Sequence, residues 1–395
     1  MPLKLDAIAE AIHAMASTFD GADQRDRLQF ALDRLRTTDP AHVRRRLDDP
    51  QAHPAWVVAY PERSLAATYP LPPLPADFTV LGADGSMIEP DRHNPLRFFV
   101  INTGYALLTY GSQPAAEMDA VSQLYYQTDE VFISPDHRTL PIEGALLALK
   151  MAVEEMNVLV KAATAITQRQ ALALRDGTLI LWGLDSPGIA DDVRQRFLQP
   201  YQDAMRSLQE TGVPIAAYTS YPNADDVVNA LRVGLCRDPS VVCRRCEAIF
   251  QRIPPGTPIC APLATLVDRF LFSRHLAEGE RSDCFRSRQD VLKFYDADQI
   301  IYFFYLHVGS EIARVETPAW VARDPVLLER VHALIYDQCQ RGRGYPPALT
   351  EAHEQAVITV GDREVVEELV ARALADRAVI YIRSQKDQSK RVRGV

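Results

Sequence analysis

The chain has 395 residues, 47% hydrophobic and 24% charged, with a formal net charge of −9. That is enough for one large or two ordinary domains with a buried core, in a composition typical of soluble globular proteins. The acidic balance excludes a surface coated in basic residues for generic DNA binding, but it leaves room for local basic clusters, because charge attraction is screened beyond about 8 to 10 Å.

The N-terminal "MPLKLDAIAEAIHAMASTF" has helical periodicity without the basic n-region or unbroken apolar core of a signal peptide. No stretch reaches the eighteen or so apolar residues of a membrane span. A cytoplasmic chain is expected, with its six cysteines reduced. Residues 1 to about 50 read as a helical N-terminal extension, followed by the Pro-rich connector "YPERSLAATYPLPPLPADF" (60 to 78). Proline at that density stops helices and strands, so the division is expected near residue 70, with 1–70 as extension and connector and 71–395 as the main domain.

Beyond it "FTVLGAD" and "RFFVINTGYALLTYG" read as adjacent antiparallel strands. A helix follows from Ile142 to about Thr167, then the apolar strand "ALALRDGTLILWGL", a helix from Ala190 to Thr211, the strand "VPIAAYTSYP" and a helix from Ala224. A Cys-containing, loop-rich insertion covers 236 to 262. Then come the strand "QIIYFFYLHVG", the helix "PVLLERVHALIYDQCQRG", the loop "RGYPPAL", the helix "TEAHEQAVITV" and another helix from Arg363. Strands early and helices interleaved later make an α/β protein with a mixed sheet and helical C-terminal elements. The last residues carry Arg383, Lys386, Lys390, Arg391 and Arg393 against Asp387, which suits either phosphate contact or a solvated tail.

Two Asp-Gly pairs stand out. Asp84 in "VLGADGS" and Asp176 in "ALALRDGT" each end an apolar run, about ninety residues apart. A strand-end aspartate is held firmly, and the following glycine lets the backbone turn away and leaves room for a phosphate. Carboxylates so placed suit hard divalent cations working on phosphates. An ordinary Asp-Gly turn explains a lone pair better. A third acid would come from the intervening helix, where Glu143, Glu154 and Glu155 are available. On a 3.6-residue period Glu155 shares a stripe with Met151, Ala152, Val158 and Leu159, whereas Glu154 lies with Lys150, Val158 and Lys161. An acid facing the core needs a cation, so Glu155 is preferred and Glu154 held in reserve. Tyr345 and His353 follow in "GYPPALTEAHEQAV"; imidazole can ligate manganese or move protons near neutral pH.

Cys236, Cys243, Cys246 and Cys260 could hold a structural zinc ion, although their spacing fits no standard finger and buried thiols are the alternative. Cys284 and Cys339 read as ordinary core or loop residues. Arg314 suits a bidentate phosphate contact or a structural pair with Glu311 or Glu316. Neither a P-loop, a dinucleotide-binding glycine pattern nor a Ser-His-Asp signature is visible, so any NTP hydrolysis would belong to a partner.

Together the Asp84 DGS motif, the acidic helix, the Asp176 strand, Tyr345-Pro and Ala-His353 resemble the NurA nucleases. The resemblance runs from about residue 76 to the end and takes in "FFYLHVGSEIARVETPAWVA" (303 to 322) and the closing "SQKDQSKR", as in bacterial members. It implies a ribonuclease H-like core, a deoxyribonuclease using Mn2+ (or Mg2+), a ring-like dimer, and partnership with the HerA hexameric ATPase in resecting DNA ends. Position by position, it implies that Asp84, Glu155 and Asp176 hold metal, that His353 is a further ligand or proton shuttle, and that Tyr345 belongs to the catalytic centre. The competing expectation is a non-catalytic interaction protein of the same fold that docks on a DNA translocase.

Overall fold

The computed structural model describes residues 4–17, 21–91, 96–134, 139–167, 170–185, 189–243, 246, 259–375 and 377. The basic segment from Arg383 lies outside these residues. Three helices open the chain, α1 (Leu5–Ser17), α2 (Gly21–Thr37) and α3 (Pro40–Leu47). The third starts where its sequence allows: Asp39 accepts from the backbone N–H groups of Ala41 and His42, and Pro40 fills the first helical position. The Pro-rich segment is not free of the sheet. It supplies β1 (Tyr60–Pro61) and β2 (Thr68–Tyr69), short enough to sit at an edge despite the prolines.

The central unit is β3 (Phe78–Ile88), β4 (Phe99–Tyr110), β5 (Ala115–Tyr125), the single turn α4 (Thr128–Val131), the hairpin β6 (Phe132–Ile133) and β7 (Leu140–Pro141), α5 (Ala145–Ala163), β8 (Ala171–Asp176), α6 (Asp191–Thr211) and β9 (Ile215–Thr219). Then follow α7 (Asp226–Leu235), α8 (Asp268–His275), β10 (Arg281–Ser282), β11 (Phe285–Arg286), β12 (Ile301–His307), β13 (Ile312–Pro318), α9 (Ala319–Ala322), α10 (Pro325–Arg341), α11 (Pro347–Ala356) and α12 (Val360–Ala375). The large sheet runs β1-β11-β12-β13-β9-β8-β3-β4-β5, with β10 joining β12 to β2. β3, β8 and β9 are parallel, and β3, β4 and β5 form an antiparallel meander. A meander whose first strand continues into parallel strands through helical crossovers is the ribonuclease H-like core. Among the described residues no helix is long and apolar enough to cross a membrane.

Strand alternation sorts the core. Leu81, Ala83, Ala171 and Ala173 face α5 and α6, while Val80, Leu172 and Leu174 face α10 and α11. A further core joins α2, α3, α7 and α8 to one face of β12 through Phe303 and Tyr305. α11 lies unusually close to the sheet. A Cβ on Gly82 would fall 2.2 Å from the Ala348 carbonyl oxygen, and one on Gly104 would fall 2.3 Å from that of Ala352. Ser86 Oγ and Asn102 Nδ2 donate to the carbonyl of Ala356, which ends the same helix.

Several elements depart from the sequence expectation. β5 is an exposed edge strand, and "AAEMDAVSQLY" carries too little β-branched or aromatic character to announce it. The strand expected over 171–184 stops at Asp176, where Gly177 turns with φ +84°. Asp84 is not at a strand end: β3 continues through Gly85 and Ser86, which pair with Thr103 and Asn102 of β4, so Gly85 makes no turn. α11 begins at Pro347, three residues before the expected start, because proline is well suited to the first helical position.

Close packing of α11 makes a test. Gly104→Ala should destabilise by roughly 1–3 kcal/mol, the usual cost of overpacking, and lower the guanidinium midpoint. Gly361→Ala, at the exposed start of α12 with only Thr359 Oγ1 at 3.6 Å, should leave the midpoint unchanged or raised. Equal midpoints for both variants would refute the tight approach of α11.

Candidate active site

β3 and β8 pair in parallel with Ala83 opposite Arg175, so Asp84 and Asp176 are the next residues along each strand. β3 is buried from Phe78 to Ala83 and opens at Asp84; β8 is buried from Ala171 to Leu174 and opens at Arg175. Asp176 follows the alternation of Leu172 and Leu174, and Asp84 that of Val80, towards the side of the sheet covered by α10 and α11.

That side supplies their partners. His353 of α11 places Nδ1 2.6 Å from Asp84 Oδ2, and Asp84 Oδ1 accepts from the Gly85 backbone N–H at 2.8 Å. An ionised carboxylate only accepts, so Nδ1 carries the hydrogen, and in the neutral imidazole the lone pair is then on Nε2. The Tyr345 hydroxyl donates to Asp176 Oδ1 at 2.8 Å. Burial first, then the charges of Asp176 and Asp84, holds the Tyr345 phenol well above its ordinary value, so it remains a donor. Its ring meets Tyr218 edge-on at 5.5 Å between centroids, and Tyr218 in turn donates to Glu311 Oε1 at 2.9 Å. Glu311 therefore stands behind the tyrosines.

Glu155 approaches from α5, on the opposite side of the sheet. It is 4% exposed, and a Cβ on Gly85 would lie 2.7 Å from its Oε1. Glycine after Asp84 thus clears space for Glu155. Oε2 accepts from Arg175 Nε at 2.7 Å. Burial pushes the Glu155 carboxyl up, Arg175 opposes that shift, and Asp84 and Asp176 reinforce it. Glu155 Oε1 thus lies one residue from Asp84, across the backbone of Gly85. The other helical acids lie elsewhere: Glu154 is paired with Lys150 and Asn157, and Glu143 with Arg97.

The NurA domain family matches residues 78–358, from the first residue of β3 to just beyond α11. The chain belongs to the NurA family. Among solved structures, "Crystal structure of NurA with manganese" is similar at 13% identity and TM-score 0.38, covering 92% of this chain and 98% of that one. "Crystal structure of NurA bound to dAMP and manganese" is similar at 13% identity and TM-score 0.36, with coverages of 76% and 89%. A type 1 RNase H with the type 2 active-site motif is similar over 40% of this chain and 71% of its own, at 12% identity and TM-score 0.21. Comparison with curated proteins finds no match.

The match to the NurA domain encloses all of the acids and both partners just described. Their chemistry fits a divalent cation: Asp84, Glu155 and Asp176 gather against the single guanidinium bonded to Glu155, leaving negative charge that a hard cation would neutralise. Among the described residues, Asp176 Oδ2 and Glu155 Oε1 accept no protein hydrogen bond, and Nε2 of His353 has none either. No three His, Cys, Asp or Glu side chains among the described residues close round a common point; here each carboxylate is held by a protein donor instead. Asp84, Glu155, Asp176 and His353 are the NurA-domain residues that could hold such an ion.

Of the two roles expected of Arg314, the structure shows the ion pair with Glu316. Arg314 cannot meet a phosphate: it is buried between Glu316 at 3.0 Å and Asp226 at 2.7 Å, and Glu316 also takes the Thr178 hydroxyl, away from any metal. The zinc site at Cys236, Cys243, Cys246 and Cys260 receives no support. All four are free of disulfides, burial raises the Cys243 and Cys246 thiols, and no metal-holding group forms among the described residues here any more than at the acids. Sequence reasoning passed over Arg175. Its signal was a charged residue at an inward position of an otherwise apolar strand.

The two adjacent glutamates can be told apart by calorimetric titration with Mn2+. Glu155→Gln should weaken binding at least about tenfold, whereas Glu154→Gln should leave it unchanged. The reverse result would move the metal to the outer face of α5.

Proposed function

We propose that this chain is a divalent-metal-dependent nuclease that hydrolyses DNA phosphodiester bonds. The observation that carries the reading is that β3 and β8 set Asp84 and Asp176 side by side, with His353 and Tyr345 bonded to them and Glu155 Oε1 beside Gly85. NurA proteins have been solved with manganese and with dAMP and manganese together, the combination that such a carboxylate group suits. A bound Mn2+ or Mg2+ would supply Lewis acidity to the scissile phosphate and to the attacking water.

The protein's own groups divide the remaining work. Asp84, Glu155 and Asp176 hold the cation, with His353 as a fourth ligand or as the base that takes a proton at Nε2. Asp84 fixes the imidazole tautomer that leaves Nε2 unprotonated. Tyr345, kept protonated beside Asp176, donates to that carboxylate and fixes its orientation. At the next level, the reading is a homodimer that acts on DNA ends, single-stranded and duplex, alongside a HerA-type hexameric ATPase. The lack of any NTP-binding signature in this chain agrees with such a division of labour.

Labelled single-stranded and duplex DNA with Mn2+ tests the reading. The wild type should cleave and EDTA should stop it. Asp84→Asn and Asp176→Asn should each lower the rate by roughly 100- to 1,000-fold or more while keeping the fold, the scale of losing one charge-stabilising group. Wild-type protein that never cleaves, yet binds a translocase, would make the chain a non-catalytic docking protein.

A further inference from the structure

The Glu155–Arg175 pair is placed where ion pairs are hard to justify on stability alone. The two side chains are 5% and 12% exposed, so both charges are stripped of most of their water. Such pairs often stabilise a fold no better than apolar residues of the same volume would. What this pair does provide is direction. Arg175 Nε holds Oε2 of Glu155, and the other oxygen, Oε1, lies against the bare backbone of Gly85, next to Asp84.

Arg175 is itself held from behind. Its guanidinium donates to the Thr178 carbonyl oxygen, the Thr178 hydroxyl donates to Glu316 Oε2 at 2.6 Å, and the Leu179 N–H donates to the same oxygen at 3.0 Å. Glu316 Oε1 accepts from Arg314 Nε at 3.0 Å, and Arg314 Nη1 donates to Asp226 Oδ2 at 2.7 Å. A buried polar chain thus runs from α7 through β13 to the turn after β8. It leaves Arg175 with one orientation and Glu155 with one free oxygen.

We propose that Arg175 is a positioning residue for metal binding: by occupying Oε2 it makes Glu155 a one-oxygen ligand whose Oε1 is aimed past Gly85 at the Asp84–Asp176 end of the strands. This rests on the nuclease reading above, in which Glu155 is a metal ligand. A guanidinium serves here because its Nε–H and Nη–H can hold Glu155 and the Thr178 carbonyl at once, in a fixed plane. A lysine ammonium keeps the charge but not that geometry.

A double-mutant cycle on Mn2+ affinity, measured by calorimetry without DNA and accompanied by thermal melts, tests the proposal. Arg175→Met should weaken Mn2+ binding at least about tenfold, the lower end for residues that orient a ligand. In a Glu155→Gln background the same substitution should add less than about twofold, because Arg175 acts through Glu155. Should the single variant fail to fold, the paired Glu155→Gln/Arg175→Met leaves neither member of that pair charged, and Thr178→Val loosens the chain by removing the hydroxyl that donates to Glu316 and accepts from the Ile180 N–H. Arg175→Lys should recover melting temperature without recovering affinity. Full affinity in Arg175→Met or Arg175→Lys, or an equal loss in both backgrounds, overturns the proposal while leaving the nuclease reading intact. Wild-type protein that binds no Mn2+ overturns both.

Discussion

Two like charges held side by side at the end of a buried sheet repel, and most of the architecture around Asp84 and Asp176 answers to that. The parallel register of β3 and β8 forces the juxtaposition. Donors come from one helix and the turn before it, His353 from α11 and Tyr345 just upstream. They reach the acids because α11 rests on strands bared of side chains at Gly82 and Gly104 and is tied at its far end by Ser86 and Asn102. Packing density and site chemistry are therefore a single constraint here: a methyl group on the sheet would lift the helix and carry the imidazole away from its carboxylate.

The other face of the sheet meets the same charges differently. Glu155 brings a third negative charge, and the reply is a chain of alternating charges, Glu155, Arg175, Glu316, Arg314 and Asp226, bridged once by Thr178. Arg314 also stacks over Phe303, 3.6 Å from its ring centroid, in the core that joins β12 to α7 and α8. A buried chain of this kind tolerates change poorly, since removing one member strands its neighbour's charge at a cost of roughly 3–5 kcal/mol. Its last member, Asp226, sits on α7, the helix whose Val227, Val228 and Leu231 share a core with α2 and α3.

Much of this was legible in the chain before any coordinates. Asp84 and Asp176 each follow an apolar run long enough to be a buried strand, and the 3.6-residue period turns Glu155 rather than Glu154 inward; its 4% exposure agrees. What escaped the sequence was whatever depends on partners distant along the chain. β5 is polar and exposed because only its pairing with β4 makes it a strand. Gly85 suggested a turn, but its neighbour across the sheet continues the ladder, and its missing Cβ serves a glutamate 70 residues away. Arg314 carried the right chemistry for phosphate, and only burial by Asp226 and Glu316 shows that it is already satisfied.

Asp84 within β3, Asp176 at the end of β8 and Glu155 on α5 should form one cation site. Anomalous diffraction from crystals grown with Mn2+, recorded at the manganese edge, locates the ion independently of any assay. The anomalous peak should be bounded by carboxylate oxygens of Asp84, Asp176 and Glu155, with Arg175 still on Glu155 Oε2. A manganese peak elsewhere, among the cysteines or on the outer face of α5 beside Glu154, with none between the two aspartates, would contradict it.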